Sequence, residues 1–222
     1  VSVILSGVFF LAIINSFNFI DGINGLSSGI GIVVSSTYAL CFAFLNDELF
    51  LILSLCVAGS QVAFLRYNLI NAKIFMGDSG SMILGFLVAL LSIHFLQANE
   101  LAETFLLKKI DAVVFAFAII IIPIMDTASV VFIRIFILRK SPFEADRNHI
   151  HHALLDIGMS HVQASLILMA VNVVFVIGVF FINEWVRASI LLPLIVVAAV
   201  TVSQVPFIIK QRQKRRGVYN PS

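Results

Sequence analysis

Three short stretches combine acids, amides, glycines and imidazoles in patterns suited to phosphate chemistry. The first is NSFNFIDGINGL, residues 15–26. Asn15, Asn18 and Asp21 recur every three residues, so they share one face of a helix that ends there. Gly22 and Gly25 permit a tight turn and close approach of a ligand to the backbone. A helix C-cap followed by glycine accounts for the glycines. It does not account for Asp21, because a carboxylate is disfavoured at the negative end of a helix dipole. The second stretch is NLINAKIFMGDSGS, residues 68–81. Asp78 stands between Gly77 and Gly80, just before a helix predicted from about Ser79. Backbone N–H groups at a helix N-terminus attract anions, and a carboxylate beside them suits Mg²⁺. A plain N-cap at Asp78 or Ser79 is the simpler alternative. The third is SPFEADRNHIHH, residues 141–152, with Asp146, Arg147, His149, His151 and His152. Arg147 and the imidazoles suit a diphosphate. A structural zinc site lacks an obvious fourth ligand, and a solvated interfacial loop is the bland alternative.

The elements that must carry these stretches are membrane helices. The chain has 222 residues, 60% of them apolar and 12% charged, and a mean hydropathy of +1.08. A soluble domain holds about 25% charged residues. Apolar runs of about 20 residues recur along the chain, and within lipid the backbone must satisfy itself, which favours helices. The expected fold is all-α: a polytopic bundle of about seven spans at 1–20, 26–45, 49–66, 80–97, 111–138, 165–183 and 188–209. Residues 1–209 form one transmembrane domain and 210–222 a basic tail. At about 1.5 Å per residue the span 111–138 is longer than the hydrocarbon core. Its C-terminal turns are therefore expected to project, with Pro123 as a bending point and Asp126 facing the bundle interior.

Lys and Arg fix the orientation. Lys108, Lys109 and Arg187 lie on one side. The other eleven, from Arg66 to Arg216, lie on the side of the three polar stretches. The positive-inside rule makes that second side cytosolic, with the C-terminus. Polar groups on one face favour an enzyme joining a soluble and a lipid substrate over a transporter, which needs polar groups near the midplane. Cys41 and Cys56 read as packing residues, and His94 and His161 as packed or interfacial. The tail KQRQKRR at 210–216 reads as an orientation signal near anionic lipid, not a nucleic-acid site.

In this order, NSFNFIDGINGL, NLINAKIFMGDSGS, PIMDTASVVFIRIF (123–136) and PFEADRNHIHH resemble the polyprenyl-phosphate N-acetylhexosamine-1-phosphate transferases. The HIHH form is similar to the branch using simple UDP-N-acetylhexosamines. The resemblance implies an enzyme of the bacterial plasma membrane. It moves sugar 1-phosphate from a UDP-sugar, with UDP-GlcNAc the first choice, to undecaprenyl phosphate. UMP is released, and Mg²⁺ (or Mn²⁺) is the cofactor. Such a step initiates cell-envelope polysaccharide synthesis, and a homodimer is among the implied assemblies. Residue by residue, Asp78 matches the Mg²⁺-binding aspartate and Asp21 the active-site aspartate, also placed at the metal. Asn18 matches the amide before Asp21. Asn68 and Phe75 match nucleotide contacts, Phe75 against uracil, and Gly77 belongs to the same phosphate-side motif. Arg147, His149, His151 and His152 match the UDP-sugar motif. Asn24 stands where many relatives have Asp, which leaves one negative charge fewer. The family's paired aspartates would lie upstream of Val1, so the chain is expected to be a fragment and incomplete by itself. A lipid-linked-sugar transporter or a non-catalytic scaffold are the rival readings, and direct and double displacement both stay open.

Overall fold

A computed structural model describes residues 3–100, 110–132, 134, 135, 139 and 149–216. Among them every regular element is helical: α1 (Val3–Ile20), α2 (Leu26–Phe44), α3 (Glu48–Asn68), α4 (Gly77–Glu100), α5 (Ala112–Ile119), α6 (Ile121–Phe132), α7 (Ile150–Asp156), α8 (His161–Ile182) and α9 (Ala188–Arg215). Six of these are long and apolar enough to cross a membrane, and α5 with α6 makes up to a seventh. The outward faces carry side chains such as Leu49, Val174 and Phe181, all more than 60% exposed. In water such a surface would drive aggregation, whereas lipid accepts it. The protein is a multi-pass membrane helix bundle.

The central helix is α2. It packs along α3 and also meets α4 and α8, while α1 lies along α4. The α1–α4 contact is close because Gly85 faces the α1 backbone: a Cβ there would sit 2.7 Å from the Ile14 Cα. Tyr38 closes the α2–α4 contact by donating to Ser92 Oγ at 2.8 Å inside the core.

The span read as 111–138 is not one projecting helix. It breaks at Ile120, and α5 and α6 meet at 77°. Pro123 explains the place, because it has no N–H for the Ile119 carbonyl and its ring crowds that oxygen. A broken helix inside lipid leaves polar backbone groups that need partners. Asn172 of α8, fully buried, supplies both. Its Nδ2 donates to the Ile119 carbonyl at 3.0 Å, and its Oδ1 accepts from Ile122 N–H at 3.4 Å.

The long cytosolic-type loop also contains an element that the apolar runs did not reveal, the short helix α7. The last turns of α9 hold it. Lys210 pairs with Asp156 at the end of α7, and Gln213 Nε2 donates to the Ile157 carbonyl at 3.4 Å. The helix α9 thus runs through the basic segment to Arg215.

Candidate active site

The turn between α1 and α2 is the hub. Asp21 N–H bonds back to the Asn18 carbonyl at 3.3 Å, which tightens the last turn of α1. The Asp21 Oδ1 accepts from Ser27 Oγ at 2.5 Å, from the first turn of α2. Burial holds the Asp21 carboxyl above its usual range. The Ser27 hydroxyl opposes that shift, the neighbouring Asp78 carboxylate adds to it, and the Gly77 backbone N–H opposes it. Two acids from separate elements therefore feel each other across this turn. Their mutual repulsion is what a divalent cation would relieve.

Asn18 ties the pair together. Its Nδ2 lies 3.2 Å from Asp78 Oδ1 and 3.1 Å from Ser81 Oγ, so one amide joins α1 to the first turn of α4. Asp78 itself is exposed in that first turn, beside Gly77 at φ +66°. Asn15, the other amide of the spacing, is exposed and donates to its own Leu11 carbonyl at 2.7 Å. It takes no part in the cluster.

Asn68 is buried, and its amide is engaged at both ends. The oxygen accepts from Gly25 N–H at 2.6 Å, and the nitrogen donates to the Ile74 carbonyl at 2.9 Å. It therefore clamps turn 21–25 to loop 69–76. On the far side of that loop Phe75 is 77% exposed. It edges a groove with Gln61, Phe64, Met76 and Ile83, which leaves its ring available for stacking. Asn24 connects the turn to α8 through its backbone: its N–H donates to His161 Nδ1 at 3.3 Å, and its carbonyl accepts from Ser165 Oγ at 2.7 Å. His161 is thus a packing partner of the turn.

The histidines come in from the other side. Asp126 of α6 is 2% exposed, His149 5% and His151 1%. The Asp126 Oδ2 lies 3.0 Å from His149 Nδ1 and 3.4 Å from His151 Nδ1, and its Oδ1 accepts from Ile150 N–H at 2.7 Å. That N–H is an end group of α7, so the acid also serves the helix N-terminus. Ligand atoms of these three residues lie within 4.8 Å of one another. His152, on the first turn of α7, is partly exposed and its ring lies 4.4 Å from that of His151. Arg147 lies outside the described residues.

Two contacts join this cluster to the hub. The His149 ring packs on Phe19 at 5.7 Å between centroids. The His151 Nε2 sits against Gly22, where a Cβ would come within 2.6 Å of it. The sequence suggests that Gly22 lets a ligand approach, but the group that approaches it is His151. Among the described residues, the end of the third stretch, His149–His152, thus meets the turn that also faces Asp78.

Sequence reasoning missed the direct role of Ser27, Ser81 and Asn172, and the partnership of Asp126 with the histidines. Only Asp126 carried a signal, as an acid deep in an apolar run.

Residues 1–96 match the model of glycosyl transferase family 4. A probable undecaprenyl-phosphate N-acetylglucosaminyl 1-phosphate transferase of Bacillus subtilis (strain 168) is 34% identical over 196 residues, 86% of this chain and 52% of the relative. The chain belongs to glycosyl transferase family 4. An undecaprenyl-phosphate alpha-N-acetylglucosaminyl 1-phosphate transferase of Escherichia coli (strain K12) is 33% identical over 193 residues, 82% of this chain and 50% of that protein. A decaprenyl-phosphate N-acetylglucosaminephosphotransferase of Mycolicibacterium smegmatis (strain ATCC 700084 / mc(2)155) is 32% identical over 180 residues, 75% of this chain and 44% of the relative. The chain spans about half the length of the curated family members it matches. The family match covers the hub and the Asp78 loop, and the longer alignments extend over most of the chain.

Proposed function

We propose that this chain carries the donor side of a polyprenyl-phosphate sugar-1-phosphate transferase. N-acetylglucosamine 1-phosphate would pass from UDP-GlcNAc to undecaprenyl phosphate, at the cytosolic face of a bacterial plasma membrane. The observation that supports it best is the meeting of Asp21, Asp78 and the histidine segment at one turn. The relatives named for transfer to undecaprenyl or decaprenyl phosphate point the same way. The bias of Lys and Arg toward this side of the bundle supports its cytosolic placement.

In the reaction an acceptor phosphate oxygen attacks the β-phosphorus of the UDP-sugar. A P–O bond forms there, and the bond from that phosphorus to the bridging oxygen breaks. The electron pair leaves with the α-phosphate as UMP, and the lipid carries sugar diphosphate. An acceptor phosphate is already anionic near neutral pH, so no protein base is needed to create the nucleophile. Asp21 and Asp78 fit Mg²⁺, as two neighbouring carboxylates of which one is exposed. When bound it would neutralise charge on the diphosphate oxygens. Asn18 keeps Asp78 oriented. Phe75 offers a face for the uracil, and the partly exposed His152 is a cation for the charge of the leaving UMP.

The test uses the full-length protein with radiolabelled UDP-GlcNAc and undecaprenyl phosphate. Labelled lipid should form with one UMP for each sugar transferred. Asp78→Asn should remove the activity, and near-wild-type transfer with unchanged Mg²⁺ dependence would discard the metal role. Sugar flux in vesicles without UMP release would point to a transporter instead.

A further inference from the structure

Asp126 has no role in the chemistry just described, yet it is the most completely surrounded acid of the candidate site. We propose that Asp126 is a positioning residue: with Gly22 it clamps the His149–His151 segment onto the Asp21 turn and so sets the donor-binding geometry. The proposal rests on the transferase reading. The argument begins with what a carboxylate can do. An ionised carboxylate only accepts hydrogen bonds. Oδ2 faces His149 Nδ1 at 3.0 Å, so that imidazole donates from Nδ1, and His151 Nδ1 lies 3.4 Å from the same oxygen as a close polar neighbour. In His149 Nε2 is then the unprotonated nitrogen, unless the ring is doubly protonated; in His151 the corresponding atom is Nε2 as well.

For His151 that atom lies against Gly22, with the ring 1% exposed. Neither His149 nor His151 can reach a soluble donor without leaving this packing. Their contribution is to hold α7, whose first turn carries the partly exposed His152. The clamp has three anchors on different elements. Asp126 comes from α6, Phe19 from α1 and Gly22 from the hub turn. Its far end is fixed by Lys210 of α9 on Asp156. A shift of α7 by about 1 Å would misplace groups facing the diphosphate, and such errors cost up to about 100-fold in rate.

The experiment compares full-length wild type with Asp126→Asn, which keeps the volume, and with Gly22→Ala, which pushes on His151. Two readouts are taken. The first is steady-state transfer with donor and acceptor varied separately. Both variants should raise the donor KM about tenfold and leave the acceptor KM unchanged. A merely structural loss of folded protein would lower kcat and leave both KM values alone, and that result overturns the proposal. The second is modification by diethyl pyrocarbonate, read at each histidine by mass spectrometry. His149 and His151 should be protected in wild type and labelled about tenfold more in Asp126→Asn. Equal labelling overturns the clamp, as does stoichiometric zinc in purified wild type that Asp126→Asn releases. If wild type releases no UMP, the transferase reading fails, and the labelling still reads the clamp.

Discussion

Among the described residues, aspartates meet histidines at two places at opposite ends of the bundle, and these differ in what surrounds them. At the turn between α2 and α3, Asp47 lies 2.6 Å from His94, and both side chains are about a quarter exposed. Asp47 also caps α3 by accepting from Phe50 N–H at 3.1 Å, and the His94 ring stacks on Phe50. That contact is local fastening: one cap, one imidazole and one aromatic face. At the other end, Asp126 is almost fully buried and gathers two imidazoles and a helix N-terminal N–H. The same pair of residue types thus serves two purposes. An acid that is partly wet and already a cap tolerates loss of its histidine. An acid in a dry site must have every lone pair answered, so the groups around it become fixed relative to one another.

Mutations can break this comparison, beginning with the greatest effect. Asp126→Ala should lower transfer by about 100-fold or more, because the His149 ring and a helix end lose their common acceptor and His151 its neighbouring charge. Asp47→Ala should leave the rate within about twofold, since it lies remote from the chemistry. Initial rates in matched detergent decide it, and equal losses would erase the distinction.

Asn172→Ala should expose the cost of the break between α5 and α6. It leaves the Ile119 carbonyl and Ile122 N–H without their buried partner, at about 1–3 kcal/mol per group. Thermal unfolding should fall by several degrees, with donor and acceptor KM unchanged.

The smallest expected effect sharpens the picture of Asp47. Loss of its cap should cost about 1 kcal/mol. Its carboxyl is held below the usual range. Burial works against this, but the His94 hydrogen bond, the Phe50 N–H and the His94 charge together outweigh it. A depressed acid stabilises the fold above its unfolded pKa and loses that contribution as pH falls through the folded one. The stability gap between wild type and Asp47→Asn should therefore be full near neutral pH and shrink below about pH 4. A gap that widens on acidification would show that Asp47 is not the stabilising group.

Much of the bundle was legible because membrane helices announce themselves through length and apolarity. The span predicted at 26–45 is α2, Leu26–Phe44, and 165–183 corresponds to α8, His161–Ile182. The span 111–138 was misread as continuous, although Pro123 marked the region. A proline shows that a helix can break there, but the angle depends on whether the freed backbone finds partners. That partner, Asn172, is fifty residues away. The candidate site divides in the same manner. Asn18 and Asp21 stood out through spacing and through an acid at the disfavoured end of a helix, and Asp78 through its place between two glycines at a helix start. The family resemblance marked Asn68 as a nucleotide contact, and only the structure adds that its amide joins two loops.

The sequence by itself determined the membrane class, the helices and the three polar stretches, because those follow from local composition and from periods of three to four residues. It also supplied the family's motifs in order. Only the tertiary structure decided that His151 occupies the space at Gly22, that Asp126 lies between both buried histidines, and that one amide closes the broken span. Each depends on where helices distant in the chain come to rest. That is set by side-chain packing between elements, and residue spacing within one element does not encode it.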